Sequence, residues 1–136
     1  MTTRDASPKR PKNTFTIVII PGPKVEYIVK KIKKADLTDV ITKTVGGHFQ
    51  MMPKNKTSEL EAYVNEEGLL RNLPNNYVAG DMLFQLGFAT NTLPIKHVVS
   101  GPVVLTRMLE DGEDATLRKK DLELIEKVFQ AMKDDQ

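Results

Sequence analysis

Short apolar runs separated by glycine, proline and charged residues divide this chain into strands and helices. Residues 14–20 are β-branched and nearly all apolar, which predicts a central strand buried on both faces. The Pro-Gly-Pro at residues 21–23 ends that strand. Apolar and polar residues then alternate over residues 25–29, which predicts a hairpin partner. The lysines that begin at Lys30 are expected to end this second strand, as charges commonly do at an exposed sheet edge.

The first and last helices are predicted from apolar residues at helical spacing. The first occupies residues 37–45, with Asp36 as its N-cap and Gly46 and Gly47 as its left-handed stop. The last occupies residues 117–132 and is amphipathic, with a polar face directed to solvent.

A shorter helix is predicted between them over residues 77–86. Asn76 is expected to cap its N-terminus, and Gly87 is expected to end it. The apolar residues at helical spacing, which are expected to face the core, are Tyr77, Met82 (or Val78), Leu83 and Leu86.

Three further strands are expected over residues 48–52, 60–64 and 96–105, the last of them bent at Gly101. The element order is then ββαββαβα. This order predicts an α+β fold, in which a small mixed or mainly antiparallel sheet of about five strands is packed by about three helices. Residues 1–13 are polar and basic and are expected to form a disordered arm, and residues 14–136 a single domain.

Composition indicates an ordinary soluble protein. The chain has no cysteine, which excludes disulfides and thiolate chemistry and fits the cytosol. No apolar run approaches the roughly 20 residues of a membrane span, and no secretion signal is recognisable. The net charge of +2 conceals an asymmetry: residues 1–34 hold nine basic and two acidic side chains, whereas residues 109–136 hold five basic and nine acidic ones. Such a distribution indicates either polyanion binding or two solvated faces.

The most distinctive segment is residues 65–76, in which acidic residues, a glycine and four asparagines surround a short apolar run. Two interpretations are open: a solvated turn followed by a helix cap, or a hydrogen-bonding site built from side-chain amides. Adjacent glutamates point apart, which argues against a general acid–base pair. The candidate binding residues of this segment are Asn65, Glu66, Glu67, Gly68, Asn75 and Asn76.

The basic residues of the N-terminal quarter are the one credible polyanion-binding or partner-binding feature. Contacts from them to nucleic acid would be made to phosphates and would depend strongly on salt. The same charges could bind an acidic protein surface or protect an edge strand from aggregation. The residues concerned are Arg4, Lys9, Arg10, Lys12, Lys30, Lys31, Lys33 and Lys34.

No catalytic, metal or cofactor site is predicted. His48 and His97 are the two histidines, and neither has a ligand-type neighbour at metal-binding spacing. Ser100 lies outside any nucleophile-elbow pattern. The prolines beside Gly22 remove the backbone N–H groups that a phosphate-binding loop would need.

The segment 64–76 (VNEEGLLRNLPNN) resembles the DUF3846 family of small uncharacterised proteins. Three further elements are similar in order and spacing: the Val-Gly-Gly at residues 45–47, the helix around Ala79, and the Gly-Pro-Val-Val at residues 101–104. A basic N-terminal arm, a longer loop over residues 88–96, and Tyr77 where the family often has an arginine depart from the pattern. The resemblance implies an accessory protein of a phage, a large DNA virus or a mobile element, and it carries no known catalytic residue.

Three functions follow in order of preference. The first is a non-enzymatic binding or structural protein that acts through protein–protein contacts, a virion or minor capsid component being one form of this role. The second is a nucleic-acid-binding regulator that uses the basic arm and the lysine cluster. The third is an enzyme, placed last because no catalytic constellation is recognisable. The expected location is the host cytoplasm or the virion, without membrane contact, and the oligomeric state is left open.

Overall fold

A computed structural model describes residues 13–54, 57–67, 75–88 and 99–134. Within these ranges the chain forms an α+β fold, as predicted, with an antiparallel sheet and three α-helices. The strands are β1 (Thr14–Ile20), β2 (Ile28–Lys33), β3 (Phe49–Met51), β4 (Leu60–Asn65), β5 (Val103–Met108) and β6 (Asp114–Ala115), and the helices are α1 (Leu37–Val45), α2 (Tyr77–Gln85) and α3 (Lys119–Asp134). The described part of the sheet has one strand more than expected, because the acidic segment before α3 closes on β5 as β6.

The strand order is β2-β1-β5-β4-β3, so β5 lies at the centre and β2 and β3 form the two edges. Leu105 of β5 lies between Val18 of β1 and Ala62 of β4. Two residues further along, Arg107 pairs with Ala115 of β6 instead of with β1. The short strand β6 therefore continues the β1 side of β5 where the pairing of β5 with β1 has ended.

Helices cover both faces of the sheet, which makes three layers. Ile17 and Ile19 of β1 pack with α1 on one face, and Val18 and Ile20 pack with α2 and α3 on the other. All four side chains are buried, which confirms that β1 is a central strand buried on both faces. We call the two sides the α1 face and the α2/α3 face.

The second strand is placed differently from the prediction. It was expected over residues 25–29 and begins instead at Ile28, continuing through the lysines to Lys33. The reason is that Tyr27 turns to α3, where its ring contacts Phe129 edge-on at a centroid distance of 4.9 Å and its hydroxyl donates to Glu126. The lysines are tolerated inside the strand because it lies at the sheet edge, with only Ile32 buried.

The helix ends follow the sequence closely, apart from the side chains of Asp36 and Tyr77. Gly46 ends α1 in the left-handed region (φ +86°), as predicted, while Asp36 precedes α1 without a capping hydrogen bond from its side chain. Asn76 caps α2, again as predicted. Tyr77, however, is 59% exposed rather than part of the core. The buried face of α2 starts one residue later, at Val78, because Tyr77 occupies the first helical position, where its side chain projects away from the sheet.

Two further predictions fall partly or wholly outside the described residues. These are the disordered arm at residues 1–13 and the strand portion at residues 96–98. Gly101 does adopt a positive φ of 86° just before β5, in agreement with the expected bend. Among the described helices, none is long and apolar enough to cross a membrane.

An ion-paired cluster joins the start of α3 to the sheet. Arg107 in β5 donates to Glu59 at 2.8 Å, and Arg118 lies 3.6 Å from the same carboxylate. Asp121 is buried and accepts from both the backbone N–H of Arg118 (2.8 Å) and its side chain (3.0 Å). Burial alone would raise the pKa of the Asp121 carboxyl, but these hydrogen bonds and the charges of Arg118 and Arg107 outweigh it and hold the pKa below its ordinary value of 3.8.

The Asp121 cluster leads to a pH-dependent stability prediction. A lowered pKa in the folded protein contributes stability that is present above the unfolded pKa of about 3.9 and is lost as the pH falls through the folded value. Asp121→Asn is therefore expected to cost about 2 kcal/mol at pH 7, the scale of a hydrogen bond to a charged group. The cost should shrink as urea-unfolding curves are recorded at successively lower pH below about 4. A cost that stays constant over this range would mean that the carboxylate charge is irrelevant.

Candidate functional site

The predicted site residues of the 65–76 segment are found at two separate places. Asn65, Glu66 and Glu67 end β4 and begin a turn, whereas Asn75 and Asn76 precede α2. Gly68 lies outside the described residues. The structure thus divides the segment between the end of one strand and the start of one helix.

Asn76 is a buried structural junction, only 1% exposed. Its Nδ2 donates to the carbonyl oxygens of Ile20 (2.9 Å) and Gly101 (3.0 Å), and its Oδ1 accepts from the backbone N–H of Ala79 (3.1 Å). One side chain therefore joins the end of β1, the bend before β5 and the N-terminus of α2. Both amide hydrogens are used internally, so Asn76 organises this region rather than facing solvent.

Asn65 has a similar role at the other end of the segment. It is 5% exposed, and its Nδ2 donates to the carbonyl oxygen of Val45, the last residue of α1, at 2.9 Å. Its Oδ1 accepts from the backbone N–H of Glu67 at 2.7 Å. The second contact is an Asx-turn, the self-capping arrangement expected of a solvated turn. The first ties that turn to the C-terminus of α1, a contact that the sequence did not indicate.

Among the described residues of the segment, Glu66, Glu67 and Asn75 are exposed. The side chain of Asn75 donates to the hydroxyl of the exposed Tyr77 at 3.1 Å, and its backbone forms an isolated bridge with Ser100. These three side chains remain open to a ligand.

Glu66 lines a cleft of about 330 Å³, together with Thr42 of α1, His48 and Phe49. The backbone N–H of Glu66 donates to the carbonyl oxygen of His48 at 2.9 Å, which brings the two residues to the same end of the β3–β4 ribbon. The ring of Phe49 is held against buried Tyr63, edge to face, at a centroid distance of 5.2 Å. We call this opening the Glu66 cleft.

Only part of the Glu66 cleft is visible in the sequence. The sequence predicts Glu66 within a turn and His48 as an isolated histidine at the start of a strand. No local pattern connects either residue with Thr42 or Phe49. The available signal was the helix stop at Gly46 and Gly47, which returns the chain directly into β3 and so places the end of α1 beside the β3–β4 ribbon.

Four of the predicted basic residues lie on or directly after the edge strand β2, namely Lys30, Lys31, Lys33 and Lys34. The others, Arg4, Lys9, Arg10 and Lys12, lie outside the described residues. Within β2 every residue except Ile32 is exposed, including Ile28 and Val29 at 48% each. This strand therefore presents a mixed apolar and cationic edge, which we call the β2 edge.

The lysines of the β2 edge do not share one face. Lys30 pairs with Ile17 of β1, whose side chain points to the α1 face, whereas Lys31 pairs with Thr16 and lies on the α2/α3 face. Residues that pair directly across an antiparallel ladder lie on the same side of the sheet. Since side chains alternate along a strand, Lys33 shares the side of Lys31.

The described residues contain no group of three or more His, Asp or Glu side chains placed to hold a metal ion. His48 is exposed, and His97 lies outside the described residues. Ser100 is buried beside Asn75.

The antiparallel sheet with α1 on one face and α2 and α3 on the other defines a small α+β domain. The two candidate surfaces lie at the two ends of the strand order, the β2 edge at one and the Glu66 cleft at the other. The chain belongs to the DUF3846 family, described as a domain of unknown function, whose model matches residues 14–130. This match confirms the resemblance carried by residues 64–76. No curated protein and no solved structure matches the chain.

Proposed function

We propose that this protein is a non-enzymatic binding protein that docks an acidic, extended segment of another protein along the β2 edge. In this proposal it serves a phage or a large DNA virus as an accessory protein, in the host cytoplasm or as a virion component. The viral setting rests on the sequence resemblance alone. The observation that carries the docking proposal is the alternation of lysines on the two sides of an exposed edge strand.

An edge strand can pair with an incoming strand through its outward-facing backbone groups. Among the described residues, β2 pairs with β1 alone. The half-exposed side chains of Ile28 and Val29 add apolar area at one end of the edge, and the lysines add charge at the other. An incoming strand would therefore find apolar contacts and cationic contacts in a fixed order.

The alternation of charge favours a peptide over a nucleic acid. Glutamates on an added strand also alternate between the two sides of the sheet, so they can meet Lys30 on one side and Lys31 and Lys33 on the other. A nucleic-acid backbone needs its cations along one surface or groove. The lysines of β2 point to opposite sides and provide no such surface by themselves.

A second copy of the chain is a poorer occupant than an acidic partner. Edge-to-edge pairing of two β2 strands would place Lys30, Lys31 and Lys33 of one copy beside the same lysines of the other. Like charges that face each other across a ladder are destabilising. An acidic segment removes this repulsion and converts it into attraction.

The test uses a short synthetic peptide with glutamates placed opposite Lys30, Lys31 and Lys33, and valines opposite Ile28 and Val29. We expect saturable binding by fluorescence anisotropy. The double charge reversal K31E/K33E should weaken it about ten-fold or more, because exposed ion pairs contribute up to about 1 kcal/mol each and reversal makes them repulsive. The matched control is K119E/K120E, which changes the same net charge at two exposed lysines at the start of α3 and should leave binding nearly unchanged.

Two further measurements separate the alternatives. A peptide of the same sequence with alternate backbone amides methylated should not bind, because it cannot pair as a strand. Random duplex DNA should bind only weakly; tight, steeply salt-dependent DNA binding that K31E/K33E removes would favour the nucleic-acid regulator instead. No peptide binding, or equal losses in both double variants, would overturn the docking proposal.

A further inference from the structure

We propose that the Glu66 cleft is a binding site for a guanidinium group, such as the side chain of an arginine in a partner protein. The cleft belongs to the end of the sheet formed by β3 and β4, opposite the β2 edge. This inference is therefore independent of the function proposed above.

The cleft is large enough to receive a single long side chain. At about 330 Å³ it lies at the lower limit of typical small-molecule sites, which cover about 300 to 1,000 Å³. This volume admits a guanidinium together with its aliphatic stem.

The chemistry of the walls selects a planar cation. Glu66 provides a carboxylate, which a guanidinium contacts through two parallel N–H groups. Phe49 provides an aromatic ring, and arginine is the side chain that most often stacks on such rings. Thr42 adds a hydroxyl oxygen that can accept a hydrogen bond.

The local field also favours a cation over an anion. Thr42 lies in the last turn of α1, where the helix carries a partial negative charge. Glu67 adds a second exposed carboxylate directly beyond Glu66. Lys43 is exposed in the same turn of α1 and offsets one of these two charges, so the formal side-chain charge of Glu66, Glu67 and Lys43 together is −1.

The cleft is organised before any ligand enters. Phe49 is held by Tyr63, and the backbone of Glu66 is bonded to His48. Asn65 fixes the turn from both sides, through Val45 and through Glu67. A site whose walls are already ordered loses less conformational entropy when it binds. Asn65 is thus a positioning residue for this site, which gives the Asn-Glu-Glu motif a role beyond that of a turn.

The test is an NMR titration of the ¹⁵N-labelled protein with N-acetyl-arginine N-methylamide. We expect saturable amide shifts at Thr42, His48, Phe49 and Glu66, with a Kd of about 1 mM, as is common for so small a ligand. The citrulline analogue has the same shape without the charge and should cause no saturable shift. If the citrulline analogue binds as tightly as the arginine probe, the assignment is overturned. The absence of any saturable shift with the arginine probe would also overturn it.

Substitutions at the two adjacent glutamates show which carboxylate binds the arginine probe. Glu66→Gln is expected to weaken binding of the arginine probe about five-fold or more, the scale of one favourable ion pair. Glu67→Gln removes an equal charge one residue away, outside the lining of the cleft, and should change binding less than about two-fold. Both positions are exposed, so neither variant should unfold the protein. Equal effects of the two variants would mean that the turn attracts cations without a defined site, and the proposal would fail.

Discussion

Asn76→Ala is expected to lower the free energy of unfolding by about 3 to 5 kcal/mol. The variant loses a helix N-cap, which contributes about 1 kcal/mol, and it removes the Asn76 donor from two buried carbonyl groups, at about 1 to 2 kcal/mol each. Those carbonyls belong to Ile20 and Gly101. Since a domain of this size has about 5 to 15 kcal/mol in total, the loss should be plain in the midpoint of urea unfolding.

Two further variants show whether the cap or the long-range bonds dominate. Asn76→Asp keeps the acceptor for Ala79 but turns a carboxylate toward the carbonyls of Ile20 and Gly101, so it should be at least as damaging as alanine at pH 7. Asn75→Ala is the matched control at the neighbouring exposed position, and its effect should stay within about 0.5 kcal/mol. Wild-type stability in Asn76→Asp would show that capping is all that Asn76 does.

Gly22→Ala is the second substitution with a large expected effect. Gly22 has a φ of +59°, and a Cβ placed there would lie 2.5 Å from Oδ1 and 2.6 Å from Cγ of Asn76. The amide of Asn76 cannot move aside without breaking its three hydrogen bonds. Steric displacement therefore adds to the strain of a left-handed alanine, and the expected cost is about 2 to 4 kcal/mol by urea unfolding.

Gly112 is the control for Gly22, because its φ is also positive but no side chain lies beside it as Asn76 lies beside Gly22. Its φ is +92°, and a Cβ would meet nothing within 4 Å. Gly112→Ala should therefore cost only the conformational strain, about 1 to 2 kcal/mol. In an Asn76→Ala background the cost of Gly22→Ala should fall to nearly the same value, which gives a coupling energy of about 1 kcal/mol or more. Additive effects would contradict a direct contact.

Local chemistry was enough to predict the elements whose ends are set by neighbouring residues. The glycine stop at Gly46, the cap at Asn76 and the buried strand β1 depend on backbone conformation or on a continuous apolar run, and each is visible within a few positions. The match to the DUF3846 family over residues 14–130 is likewise a property of residue order.

The second strand and Tyr77 could not be predicted in this way. The position of β2 depends on Tyr27 reaching Phe129 and Glu126, about a hundred residues further along the chain. The alternation of apolar and polar residues predicts a strand over residues 25–29, because a local pattern contains no information about that distant contact. Tyr77 is apolar enough for a core, but it is the first residue of α2 and is exposed, while the buried face of the helix starts at Val78.

The same distinction between local sequence and tertiary contacts applies to the candidate sites. Sequence by itself predicted a turn after Asn65, a helix cap at Asn76 and a cluster of lysines near the end of the first hairpin, because turn geometry and charge are carried by adjacent residues. Only the tertiary structure decided that Glu66 meets Thr42 and Phe49 in a cleft, and that the lysines alternate on an edge strand. Strand register and helix placement bring distant residues together, since they are set by how the two faces of the sheet bury their apolar side chains.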